Sequence, residues 1–186
     1  MSEKNTLVRS LHDVGLAAWF GSSLMGAVGV NGAAAAARDP QERIRLAGVG
    51  WRKWAPYDVA AIGAHLVGGT GLLATNKARL ATQPGARAVT VAKTALTGVA
   101  VGLSAYNKRL GQKVGEHQAE GTRGTTEPAP TASRELAESQ QRLQVTQWAL
   151  PAVVGTLVVL GALQGEQQRP QSLVRNQLRR LPDPRR

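Results

Sequence analysis

The chain has 186 residues, 42% of them hydrophobic but only 4% aromatic, with a formal net charge of +11 and no cysteine. The missing cysteines exclude disulfides, thiolate metal sites and cysteine nucleophiles. With a single Phe and a mean hydropathy of −0.19, the chain is poorly supplied for an ordinary aromatic-rich soluble core.

The mean conceals a partition of charge along the chain. After a polar N-terminal segment, 1–13, four stretches are nearly uncharged: 14–37, 58–76 (uncharged beyond Asp58), 88–107 (interrupted by Lys93) and 143–165. A bilayer hydrocarbon layer about 30 Å thick needs roughly 20 helical residues to cross it. None of the four stretches has the charged face of a soluble bundle helix. The expected fold is therefore all-α and polytopic, with four transmembrane helices in those four ranges. The fourth is rich in Leu and Val, whereas the first three owe their apolarity to Ala and Gly and are expected to insert with help from their neighbours.

Lys4 and Arg9 precede the first stretch, and the alanines at 33–37 would suit leader cleavage. Glu3 and Asp13 dilute the basic region, however, and the apolar run is longer than a leader requires. A retained first helix is expected, with a cleaved leader as the alternative. Between the spans lie a basic loop (38–57), a short loop (77–87) and a long polar loop (108–142). Residues 115–133 of the long loop have no aliphatic run and carry Pro128 and Pro130, so they are expected to be disordered. Ser133 is placed to cap a helix that starts at Arg134, with Glu135 in its first turn. The tail, 166–186, holds six Arg, and Val174, Leu178 and Leu181 recur at helical spacing; it reads either as a basic amphipathic helix on anionic lipid or as a solvated basic tail.

Trp51, Trp54, Tyr57, Tyr106 and Trp148 fall at segment ends on one side of the expected membrane, as interfacial anchors do, and Trp19 falls towards the other. Basic residues do not orient the chain: the two sides hold eleven each outside the spans. The basic tail and the even number of spans favour both termini in the cytoplasm, for a multi-pass protein of the cell (inner) membrane.

Ionisable groups at membrane depth are costly and draw attention first. His65 lies two helical turns beyond Asp58 on the same helix face, and Lys93 lies six residues after Arg87. His65 is read either as a proton-shuttling or ligand-holding group, or as a partner for Ser22, Ser23, Thr94 or Thr97 on a neighbouring helix. Lys93 is expected to snorkel to the headgroups. The three His are scattered without metal-ligand spacing, no glycine run forms a phosphate loop, and the basic residues gather on no single face. No metal, cofactor, catalytic residue or nucleic-acid partner is therefore expected, and the chain is read as not an enzyme.

Small residues four apart point to helix packing. Gly98 and Gly102 form a GxxxG, with Thr94 one turn earlier; Ser22 with Gly26 and Ala64 with Gly68 extend the pattern to other helices. Residues 71–77 (GLLATNK) and 102–108 (GLSAYNK) match at five of seven positions and both close a span, which reads as a shared interfacial terminator. The stretches LHDVGLAAWFGSSLMGAVGVNGA (11–33), AIGAHLVGGTGLL (61–73) and AKTALTG (92–98) resemble small integral membrane proteins of actinobacterial type, uncharacterised in activity. The resemblance implies membrane location and adds no site.

The function expected is a non-enzymatic assembly, scaffold or envelope-associated role, exercised through helix packing and basic surface segments. The partners expected are the lipid bilayer, including anionic lipid at the basic tail, and a second copy or another membrane subunit. The alternative is a small transporter or channel component with His65 as its intramembrane polar residue.

Overall fold

A computed structural model describes residues 3–166. The chain forms α1 (Glu3–Met25), a π-helical turn (Gly26–Val30) continuing into α2 (Asn31–Ala35), α3 (Pro40–Thr75), α4 (Lys77–Thr82), α5 (Pro84–Glu116), a 3-10 turn (Gln118–Glu120) and α6 (Arg134–Glu166). Four helical units, Thr6–Ala35, Pro40–Thr75, Pro84–Glu116 and Arg134–Gly165, are long and apolar enough to cross a membrane. The tail, expected to be basic and surface-binding, lies outside the described residues.

The packing pairs α1 with α3 and α5 with α6, and the two hairpins meet through α1 against α6 and, more lightly, α3 against α5. Neighbours are antiparallel, so the bundle is up-down-up-down. One end carries the α2–α3 turn and residues 117–133 and is called here the cap end. The other carries α4 and the ends Glu3 and Glu166 and is called the open end. Two apolar clusters lie along the axis. Leu16, Trp19, Ala100, Leu150, Val154 and Leu157 fill the middle of the bundle, and Ile44, Leu110, Val114, Leu136 and Leu143 fill the cap end. Exposed apolar side chains run along α3 from Trp54 to Leu73, about 28 Å at 1.5 Å per residue, which matches a hydrocarbon layer of about 30 Å.

The helices outrun the apolar stretches. The basic segment 38–57, expected as a loop, is helical from Pro40 onwards. Asp39 caps it by accepting the Gln41 N–H at 2.9 Å, Pro40 takes the first helical position, and Ile44 and Ala47 bury the inner face while Arg45 stays outside. Likewise α5 continues to Glu116 through the start of the expected loop 108–142, and 77–82 is helical within the expected loop 77–87. Charge marks where a helix leaves the apolar layer, not where the helix stops. Ser133 caps α6 as expected, its Oγ accepting the Leu136 N–H at 3.2 Å.

Residues 117–133, expected to be disordered in large part, are folded against the cap end. The fully buried amide of Gln140 donates to Thr122 Oγ1 at 2.8 Å and to the carbonyls of Gly124 and Thr125, both at 3.0 Å. Arg43 donates from Nε to the Ala37 carbonyl and from Nη1 to those of Thr122 and Arg123. A segment without aliphatics is thus held by side-chain donors reaching its carbonyls, a kind of order that composition does not signal. Gly121 takes φ 73°, where a side chain is strained, and its added Cβ would also press on Pro40 at 3.2 Å.

The α1–α3 contact is made by close backbone approach. A Cβ at Gly15 would lie 2.6 Å from the Ala61 carbonyl oxygen, one at Gly68 would strike the His12 backbone, and one at Gly71 would meet Val8. Gly68→Ala is therefore expected to destabilise the bundle by about 1–3 kcal/mol through overpacking, read by thermal unfolding in detergent, whereas Gly98→Ala, where nothing lies within 4 Å, is expected to be near neutral.

The junction of the loop with α6 is pH-dependent. Glu120 accepts the Ser133 N–H at 2.7 Å, and that hydrogen bond holds its carboxyl below the usual carboxylate range. A depressed folded value means that the stabilisation is complete above the ordinary value of 4.5 and is lost as pH falls through the lower folded one. A lower amide protection factor at Ser133, corrected for the intrinsic exchange rate, over that acid window, with the pH effect abolished by Glu120→Gln, is the expected outcome.

Candidate functional site

The ionisable residues at depth converge near the open end. His65 on α3 is buried and faces α1, its ring 4.3 Å from that of His12, centroid to centroid, and 5.9 Å from that of Trp19. Its Nδ1 donates to the His12 carbonyl at 3.3 Å, so in the neutral ring Nε2 accepts from Thr97 on α5, 3.5 Å away. Thr97 is one of the four partners read from the sequence. His12 in turn donates from Nδ1 to Asp13 at 2.8 Å. Asp58 does not join this group: its carboxylate accepts from Ser22 Oγ at 2.7 Å, tying α3 to α1 at the level of the aromatic belt.

Lys93, expected to snorkel, lies between the helices near the open end. Its ammonium turns into the bundle and donates to Gln164 Oε1 at 3.4 Å, while the Gln164 amide donates to Thr90 at 3.4 Å. Two clefts, of 190 and 330 Å³, meet at this group, the smaller reaching His65 and the larger running between α1 and α6. Beyond His65, Trp19 and the fully buried Ala100, Val154 and Leu157 fill the axis. The clefts therefore have an apolar floor at mid-depth. Among the described residues no three His, Asp or Glu side chains gather to hold a metal ion.

The packing residues fall into two groups. Ser22 and Gly26 face inward: the Trp51 indole lies on Gly26, where a Cβ would strike the ring, and the π-helical turn starts at that glycine. Gly98 and Gly102 face outward, with nothing of the described residues within 4 Å of an added Cβ. Only 6% of the apolar stretch of α5 is buried, against 33% for the first span. The two GxxxxNK copies also differ, since Asn76 caps the end of α3 by bonding the Leu72 carbonyl, whereas Asn107 sits within α5 and donates to the Thr146 carbonyl on α6.

Of the expected anchors, Trp54, Tyr57, Tyr106 and Trp148 are exposed towards the cap end, with Trp54 stacked on Tyr57. Trp51 is half-buried as a wedge between α1 and α3. Trp19, expected towards the opposite surface, is instead in the central core, its Nε1 donating to Ser104 at 3.2 Å. Length and bulk made it a core residue once Ala100 gave it room.

A second polar chain was not legible as a site. Asn31 donates to Gln147 Oε1 at 2.7 Å and accepts from Trp51 Nε1 at 3.2 Å, and Gln147 donates to Thr126 at 3.4 Å. It joins α2, α3, α6 and the loop. The available signal was two neutral amides inside apolar runs, which a search confined to charged groups passes over. Asn31→Ala leaves the Trp51 N–H and a Gln147 acceptor unpaired, with an expected loss of about 1–3 kcal/mol in detergent unfolding. Thr97→Val, which removes one long contact to His65, is expected to cost less than about 1 kcal/mol.

No family model matches the chain, and no curated protein and no solved structure is similar to it. Its own architecture places it: four antiparallel helices, each long and apolar enough to span, with inward polar groups and an outward apolar band, make it a multi-pass membrane protein.

Proposed function

We propose that the protein is a non-enzymatic assembly or scaffold subunit of the cell membrane, acting through the outer face of α5 and its basic extramembrane parts. The observation that carries this reading is the disposition of small residues. Gly15, Gly68 and Gly71 of α1 and α3 are consumed by packing within the chain, while Gly98 and Gly102, one turn apart, leave an outward groove on the most exposed of the four spans. In lipid, backbone approach through small residues is a main source of helix association, because the hydrophobic effect offers none.

The alternative, a small transporter or channel component, draws on the cleft that reaches His65 from the open end. The apolar floor beyond His65 favours the assembly reading, since a conduction path would have to part the packed Trp19, Val154 and Leu157.

The double substitution Gly98→Leu and Gly102→Leu adds bulk where none of the described residues lies within 4 Å, so the fold is expected to survive while association is lost. The expected result is a crosslinked, larger species from native membranes with the natural sequence and a lone monomer with the variant, at unchanged helicity. A natural-sequence protein recovered only as a monomer would count against assembly. Proton flux in liposomes, abolished by His65→Ala, would instead favour transport.

A further inference from the structure

The smaller cleft at the open end lies at the lightest seam of the bundle, between α3 and α5, with α1 and α6 behind it. Arg9 and Lys93 line it together with Thr90 and Gln164, and no Asp or Glu is among its lining residues. Asp13 lines the other cleft, which Lys93 and Arg9 also border, and there His12 donates to its carboxylate. No carboxylate lies within 4 Å of the Lys93 ammonium among the described residues, and its hydrogen-bond partner is the neutral Gln164 amide. The first turn of α5, which leads to Lys93, carries no acidic residue either. A cation turned inward in a low-dielectric seam, with no carboxylate in direct contact among the described residues, is a costly arrangement that an added anion relieves.

The shape of the seam indicates the source of that anion. Leu66 and Leu73, 41% and 39% exposed, stand on the outer side of the cleft, so it opens sideways through an apolar edge. At 190 Å³ it has room for a headgroup phosphate and is smaller than the roughly 300–1,000 Å³ of drug-sized sites. We propose that this cleft holds the phosphate of an anionic membrane phospholipid, with Lys93 and Arg9 supplying charge, Thr90 and Gln164 supplying hydrogen bonds, and an acyl chain lying over Leu66 and Leu73. Basic pockets between membrane helices recognise anionic headgroups by this combination of buried charge and lateral access. None of its lining residues belongs to the Gly98–Gly102 face, so it stands or falls independently of the assembly reading.

The full-length protein in detergent, titrated with phosphatidylglycerol or phosphatidylcholine and read by native mass spectrometry, tests the site. The expected result is preferential retention of one phosphatidylglycerol, weakened about fivefold by Lys93→Gln, restored by Lys93→Arg, and unaffected when Arg175, Arg179 and Arg180 of the tail become Gln. Leu66→Trp, which obstructs the apolar edge and leaves every charge in place, is expected to reduce retention as well, and it serves if Lys93→Gln does not fold. Equal retention of both lipids, full retention in both Lys93→Gln and Leu66→Trp, or loss confined to the tail variant overturns the proposal. Displacement of bound phosphatidylglycerol by an equal concentration of inorganic phosphate overturns the lipid assignment in favour of a soluble anion.

Discussion

The structure depends on how closely α1 and α3 approach. In a membrane no hydrophobic drive gathers helices, so they must be held by packing and by polar groups that find each other. Gly15, Gly68 and Gly71 remove the side chains that would keep the two backbones apart. That approach brings the His12 carbonyl to His65 and Ser22 to Asp58, and lays Trp51 on Gly26. The first hairpin then offers a shaped surface to the second, and Trp19 can pass inward to Ser104 and the central core. Widening the α1–α3 spacing would unseat each of these contacts.

The bundle answers two solvents along its length. Its middle is filled by Leu, Val, Ala and one Trp. Towards the cap end the helices carry Arg and Lys on their outer faces and enclose a second apolar cluster around Leu136 and Val114. There the polar connection 117–133 is organised by Gln140, Gln147 and Arg43. Each of these donors reaches acceptors the loop could not satisfy alone, so an aliphatic-poor segment acquires a defined place.

The two surfaces to which a role is assigned are those left over when packing inside the chain is complete. Among the described residues nothing packs within 4 Å of Gly98 or Gly102 on the outer face of α5, and no carboxylate touches the Lys93 ammonium in the open-end seam. Both conditions are inexpensive to relieve from outside, by a helix in the first case and by an anionic headgroup in the second.

The number, type and rough extent of the spans were determined by the sequence, because exclusion of charge over roughly 20 residues is a local property that the bilayer reads directly. The Ser133 cap and the set of exposed anchors at the cap end were local in the same way. Tertiary structure alone decided which glycines pack: Gly98 and Gly102 have the stronger motif but face outward, whereas Gly15 and Gly68 make the contact, since spacing does not reveal which face meets a neighbour. It decided also that Lys93 turns inward, that Trp19 is core, that basic segments are helical, and that neutral amides at 31, 140 and 147 knit the cap end. Each of these outcomes depends on what lies opposite a residue, and a linear pattern contains no information about that.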